Sequence, residues 1–197
     1  MVVPMLHNLR LTMRLNTPKR WLLCAAVVLC ASLSVPLAAS ELPAALGAEA
    51  PELQLHGSAV MRRFGFKIYT ARLWTGREGY RPDATYALDL EYAMAIDGAD
   101  LVKTSVSEMR GLGYDDELML ARWSQAMAAA FPDVRKGDRL IGLARPGVEA
   151  RFYSARGYLA TITDPAFVDA FFGIWLNAAT SAPKARAELL NTDQSAW

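Results

Sequence analysis

Cysteine occurs only twice in the 197 residues, at Cys24 and Cys30, and histidine only at His7 and His56. Both cysteines fall within the first 40 residues, so the remainder carries no disulfide, no thiolate nucleophile and no cysteine-ligated metal. A single remaining histidine cannot build a multi-histidine zinc site or catalytic constellation, and His56, beside Gly57, reads as a partly exposed residue at a strand entrance. Acidic residues are missing altogether from residues 1–40. No basic stripe runs along the rest, which argues against nucleic acid as a partner. There is no internal repeat and no low-complexity tract.

What is present begins with an export signal. Arg10, Arg14, Lys19 and Arg20 precede the apolar run WLLCAAVVLCASLSVPLAAS, which ends in small residues with an Ala-x-Ser site at Ala38 to Ser40. The expected outcome is cleavage after Ser40 and a periplasmic or secreted protein. An uncleaved anchor is the alternative, since the run is near the short end of membrane-spanning length. Beyond Ser40 there remain 157 residues (197 − 40), enough for one domain with a substantial core. The 21 basic residues less those four leave 17 against 20 acidic ones, a net of −3.

Residues 41–52, ELPAALGAEAPE, are Ala-rich with two prolines and no strong period, and read as a flexible, exposed leader. Strand patterning starts at Leu53, breaks at Gly57 and re-forms. The stretch RRFGFKIYTARLW follows, read as strand with Phe64, Phe66, Ile68, Thr70, Arg72 and Trp74 on one face and Lys67, Tyr69, Ala71 and Leu73 on the other. After a turn at Gly76 to Asp83 comes a strand in which Tyr86, Leu88, Leu90 and Tyr92 share a face and Asp89 and Glu91 take a wet one.

Two amphipathic helices occupy the middle of the chain. The first has Asp97 as its N-cap and places Val102, Val106 and Met109 on one side; the second starts at Asp115 to Glu117 and buries Leu120, Trp123, Met127 and Phe131. DRLIGLARPG, VEARFYSARG and YLATITD then read as an antiparallel meander. Asp164 caps a helix opened by Pro165, PAFVDAFFGIWL, apolar almost all round and therefore expected to be the most buried. A last helix spans Pro183 to Leu190, with Asn177 and Asn191 placed where helices end in a left-handed residue. The fold class that follows is α+β: an antiparallel sheet covered by helices mainly on one face.

Leu-x-Leu-x-Gly-Ser-Ala-Val (Leu53 to Val60), Phe66-Lys67-Ile68-Tyr69-Thr70-Ala71-x-Leu73-Trp74, Lys136-Gly137-Asp138, Ile174-Trp175-Leu176 and Leu189-Leu190, in this order and spacing, resemble a bacterial exported chalcone isomerase-like protein. The resemblance covers about Leu53 to Asn191, so residues 53–191 form the expected domain and residues 192–197 a tail. It implies an open-faced β-sandwich with a cleft between sheet and helices for flat or elongated apolar molecules, in a family that includes both enzymes closing chalcones to flavanones and non-catalytic fatty-acid holders. The enzymes use an Arg after Gly-Ala-Gly-x, a Thr on the next strand, and a Tyr and an Asn from a helical segment. Here Gly57-Ser58-Ala59-Val60 puts Met61 at the Arg position, and Arg62, one step on, points to the opposite face unless a bulge intervenes. Tyr69 falls at the Thr position, and Asp97 to Ser107 holds neither Tyr nor Asn. The resemblance therefore transfers the fold and the cleft without a catalytic set, and no catalytic residue, metal or cofactor is assigned.

Arg62, Lys67, Tyr69, Arg72 and Tyr92 are the candidate ligand-binding residues: cations beside aromatics suit a small apolar or anionic amphipathic ligand such as a fatty acid or aromatic acid. The structural alternative has Lys67 and Arg72 laying their methylenes over the sheet and pairing with Asp89 or Glu91 across strands, and the tyrosines acting as core. Three functions follow from these readings: an exported, non-catalytic binding protein; an isomerase or intramolecular lyase using Arg62 and Tyr69 in altered geometry; and an interaction module docking a periplasmic protein partner. The sequence fixes no oligomeric state.

Overall fold

The computed structural model describes residues 42–192, so the expected signal over residues 1–40 and residues 193–197 of the tail lie outside the described residues. Six strands form one antiparallel sheet in the simplest order, each beside its sequence neighbour: β1 (Gln54–Arg63), β2 (Phe66–Thr75), β3 (Tyr86–Tyr92), β4 (Arg139–Arg145), β5 (Glu149–Ser154) and β6 (Gly157–Ile162). The helices are α1 (Ala44–Gly47), α2 (Gly98–Gly111), α3 (Glu117–Ala130), α4 (Pro165–Leu176) and α5 (Pro183–Leu190). This is the α+β meander with helical cover that the patterning predicts.

The main core lies between one face of the sheet and α2 to α5. Ala71 and Leu73 of β2, Leu88, Leu90 and Tyr92 of β3, and Phe152 of β5 meet Met109, Trp123, Met127, Phe171 and Leu189 there. Helix α4 is the most buried, as its all-round apolar surface requires: every residue from Phe167 to Leu176 except Asp169 is buried. Asp164 fixes its start by accepting from the backbone N–H of Ala166 and Phe167 and also takes the indole N–H of Trp123 at 2.8 Å, tying α3 to α4.

Five expectations are corrected. The stretch from Arg62 to Trp74 is a hairpin turn followed by a strand, because Phe64 and Gly65 both have positive φ (51° and 83°), the backbone a tight turn of right-handed twist demands; Phe64 belongs to the turn and to neither face. Gly57 does not interrupt β1. The strand passes it with a bulge, and α5 lies so close that a Cβ there would sit 2.1 Å from the carbonyl oxygen of Leu189. Asp97 occupies the N-cap position of α2 without making the cap bond; Asp133 accepts from the Gly98 N–H instead, at 2.8 Å. Asn177 is extended, whereas Asn191 has the expected left-handed backbone.

The fifth correction concerns the leader and the second face of the sheet. Residues 42–53 do not stand off the domain: Leu46, Ala50 and Leu53 are buried in a second cluster with Trp74, Ala87, Ile141, Leu143 and Tyr153 on the side of the sheet away from α2 to α5, while Ala44, Gly47, Ala48, Pro51 and Glu52 face out. Glu49 holds the segment down, accepting from Arg145 at 3.0 Å and Arg151 at 2.8 Å. The face expected to be wet at β3 is therefore partly covered, and Asp89 on it is fully buried.

Candidate functional site

The five candidate residues do not converge. They divide among the helix face, the opposite face and one end of the sheet.

Tyr69 and Tyr92 do meet. Paired across β2 and β3, they face the helices with their rings edge to face at 5.8 Å. The Tyr69 hydroxyl accepts the indole N–H of Trp175 at 3.0 Å, and the Trp175 ring packs in turn on Phe171 at 5.5 Å. Burial pushes the Tyr69 phenol up to about 12, against a smaller opposing effect of the Trp175 hydrogen bond, and burial raises Tyr92 in the same sense. Both phenols are thus neutral core donors or acceptors. Met61 lies directly opposite Tyr69 on β1, where the isomerase resemblance calls for Arg. This end of the sheet–helix seam is closed by side chains.

Arg72 points to the other face. Its guanidinium donates to Glu91 at 2.8 Å and lies 3.7 Å from Asp89, which Arg139 also grips with two hydrogen bonds. Arg72 holds Glu91 below the usual carboxylate range. Here the structural alternative describes the residue: Arg72 sits in an ion-pair network across β2, β3 and β4 and is unavailable to a ligand in the helix-side cleft.

Arg62 and Lys67 are register partners at the exposed end of the β1–β2 hairpin. The register does shift between Met61 and Arg62, but the extra residue is Ile68 on β2, so Arg62 keeps the opposite parity to Met61 on β1. Arg62 is left exposed at the hairpin end.

A sheet–helix concavity does exist, at the far end of β3 from Tyr92. Its volume is about 440 Å³, and Tyr80, Tyr86, Gly173, Leu176, Asp169 and Arg186 line it. Tyr86 is the first residue of β3; its ring packs edge-on against Phe172 at 5.3 Å and against Tyr80 at 5.2 Å, which builds an apolar wall. Burial raises both phenols, and the nearby Asp169 carboxylate adds to the effect. Arg186, on α5, is oriented by donating its Nε–H to the carbonyl of Leu176 at 2.8 Å, at the end of α4. The arrangement offers aromatic and aliphatic surface, a phenol and a fixed guanidinium beside one carboxylate, which suits binding and contains no nucleophile–base pair. In the sequence Tyr86 and Leu176 read as strand-face and motif residues, and none of the six as a ligand contact. A second depression, about 330 Å³, lies at the β1–β2 edge beside His56 and is lined by strand residues such as Gln54 and turn residues such as Gly76 and Glu78. Among the described residues, no three of His, Cys, Asp and Glu are grouped as a metal ion would require.

Comparison with known proteins agrees with this architecture. The model of a family described as chalcone isomerase-like matches residues 34–191. An uncharacterized protein of Haemophilus influenzae is 30% identical over 134 residues, spanning 66% of this chain and 64% of that one. Among solved structures, an Arabidopsis thaliana fatty-acid binding protein superimposes with a TM-score of 0.57 at 8% identity, covering 73% of this chain and 89% of that one. At that identity the match speaks for the fold.

Proposed function

We propose that this chain, which belongs to the chalcone isomerase-like family, is an exported, non-catalytic binding protein for a small apolar acid. The observation that carries the reading is the pairing of Met61 with Tyr69: a thioether faces the phenol where the family's chemistry needs a guanidinium. An oriented charge of that kind contributes about 3 kcal/mol to a transition state, so its loss leaves a fold that can hold a ligand without turning it over. The shared fold of a fatty-acid binding protein supports the same class of ligand. The seat is the concavity at Tyr80 and Tyr86, where Arg186 receives the carboxylate and Leu176 the apolar body. The basic and apolar character of residues 1–40 is the ground for export.

The test is native mass spectrometry of the protein purified from its own compartment without detergent, followed by solvent extraction. A co-purifying aliphatic or aromatic acid is the expected result. Turnover of a chalcone above the uncatalysed rate, lost in Arg62→Ala, would support the isomerase reading instead. One observation favours a third reading, the interaction module: Tyr69, Tyr92 and Trp175 leave the seam closed at their end. An empty protein that reproducibly brings down one partner would favour it.

A further inference from the structure

The β1–β2 hairpin extends past the rest of the sheet. Tyr69 of β2, Tyr92 of β3 and the turn before β4 lie in one line, since Tyr92 exchanges backbone hydrogen bonds with Gly137 and Asp138. The last backbone hydrogen bond from β2 toward β3 is at Ile68, whose carbonyl accepts from the Ala93 N–H at 2.8 Å. From Tyr69 the hairpin continues four residues to Gly65, a projection of roughly 13 Å. Beyond Ile68 the projecting tip has no third strand beside it.

Its composition is unlike that of an ordinary surface loop. Phe64 and Phe66 are 87% and 74% exposed, and Val60 and Met94 are exposed at the same end. Arg62, Arg63 and Lys67 flank the two phenylalanines, with the Arg63 guanidinium 5.4 Å from the centre of the Phe64 ring. The ion pairs among the described residues engage Arg72, Arg81, Arg110, Arg139, Arg145 and Arg151, so these three cations have no carboxylate partner there. Of the acids at this end, Glu91 takes Arg72, Asp138 accepts the Arg135 N–H at 2.8 Å and Asp133 caps α2 at Gly98, while Asp97 beside Gly98 pairs with none of the three cations. Arg135 and Lys136, in the turn level with Tyr92, and Arg156, in the β5–β6 turn, add further exposed cations to the same end. By contrast, the connection at the opposite end pairs three of its four charges internally, Arg81 with Glu78 and Asp83, and leaves only Arg77.

We propose that the β1–β2 hairpin is a membrane-docking element that inserts Phe64 and Phe66 into the interfacial region of an anionic phospholipid bilayer while Arg62, Arg63 and Lys67 engage the headgroup phosphates. Projecting aromatic side chains ringed by cations match the two layers of such a surface, acyl boundary inside and anionic headgroups outside. The hairpin ladder is closed at Arg63 and Phe66, and only the turn peptide groups of Phe64 and Gly65 stay outside it, to be hydrated in the interfacial region at the shallow depth proposed. The element lies at the other end of β3 from the Tyr80–Tyr86 concavity, and neither proposal depends on the other.

The test uses the full chain with large unilamellar vesicles of phosphatidylglycerol and phosphatidylcholine in equal parts, and with phosphatidylcholine alone. Hydrogen exchange of peptides covering residues 60–69 gives a readout local to the hairpin. Slowed exchange of this segment with the anionic vesicles and not the neutral ones is expected, together with about a tenfold loss of cosedimentation in Phe64→Ser/Phe66→Ser, as removal of two interfacial aromatic groups implies. Both substitutions fall at exposed positions, and an unchanged melting curve verifies the fold. Unchanged exchange in the presence of anionic vesicles, or equal binding by the double variant, overturns the proposal. Protection of the segment that rises with protein concentration in the absence of vesicles also overturns it, and assigns the tip to a second copy of the chain.

Discussion

The indole N–H of Trp175 donates to the Tyr69 hydroxyl at 3.0 Å, joining α4 to β2 across 106 residues of sequence. The contact fills the place where the family resemblance implies an open, reactive cleft, and makes Tyr69 a buried structural phenol. Its folded value of about 12 lies above the ordinary 10.0 because burial disfavours the phenolate. An unfolded chain ionises Tyr69 near 10.0 while the folded chain keeps the proton, so this stabilisation is complete below pH 10 and is lost as pH rises toward 12, at about 1.4 kcal/mol per pH unit. Tyr86 and Tyr92, also raised by burial, act in the same direction. Urea midpoints should hold level up to pH 10 and fall steeply above it; a midpoint level well beyond pH 10 would contradict the burial of these phenols. Tyr69→Phe should cost about 1 kcal/mol at neutral pH and soften the alkaline fall.

Gly57 lies under α5 with no room for a side chain. Gly57→Ala brings a methyl group within 2.1 Å of the Leu189 carbonyl, so α5 must shift off β1. Chemical denaturation should show a loss of about 1–3 kcal/mol. An unaffected midpoint would mean that α5 is only loosely docked.

Asp89 is fully buried between Arg72 and Arg139. Asp89→Ala leaves two guanidinium groups facing each other without their shared carboxylate, an uncompensated arrangement expected to cost about 3–5 kcal/mol. Arg72→Ala leaves Arg139 on Asp89 and should cost less. The order of the two melting temperatures tests the assignment of Arg72 to structure.

Leu46 is the deepest residue of the docked N-terminal segment. Leu46→Ala should destabilise the domain by about 2–5 kcal/mol. A freely exposed leader would show no effect beyond noise.

The fold was largely legible because its signals are periodic and local. Alternation in Tyr86 to Tyr92, the acidic helix start at Asp115 to Glu117, the cap Asp164 and the continuous apolar run from Phe167 to Leu176 each specify an element without reference to the rest of the chain. The docked N-terminal segment carried a signal too: Leu46, Ala50 and Leu53 recur at four and three residues, and Trp74, Ile141, Leu143 and Tyr153 on the outer face needed a cover. Prolines and alanines around them masked that spacing. The site was less legible, because it depends on which residues meet across the fold. Strand parity does place Arg72 opposite Tyr69, but the choice between ligand and ion pair rests on Asp89 being registered against it. Arg186 lies on a short helix of mixed composition, and only the packing of α5 against the end of α4 brings it beside Tyr80 and Tyr86.

The central claim is that the domain binds a small apolar acid at the Tyr80–Tyr86 concavity and leaves it chemically unchanged. Isothermal titration of the full chain and of Arg186→Ala with decanoate and with cinnamate measures this most directly. Saturable one-to-one binding of at least one acid, weakened about tenfold or more in the variant through loss of a charge-assisted contact, is the predicted result. No saturable heat with either acid, or equal affinity in the two proteins, would contradict it.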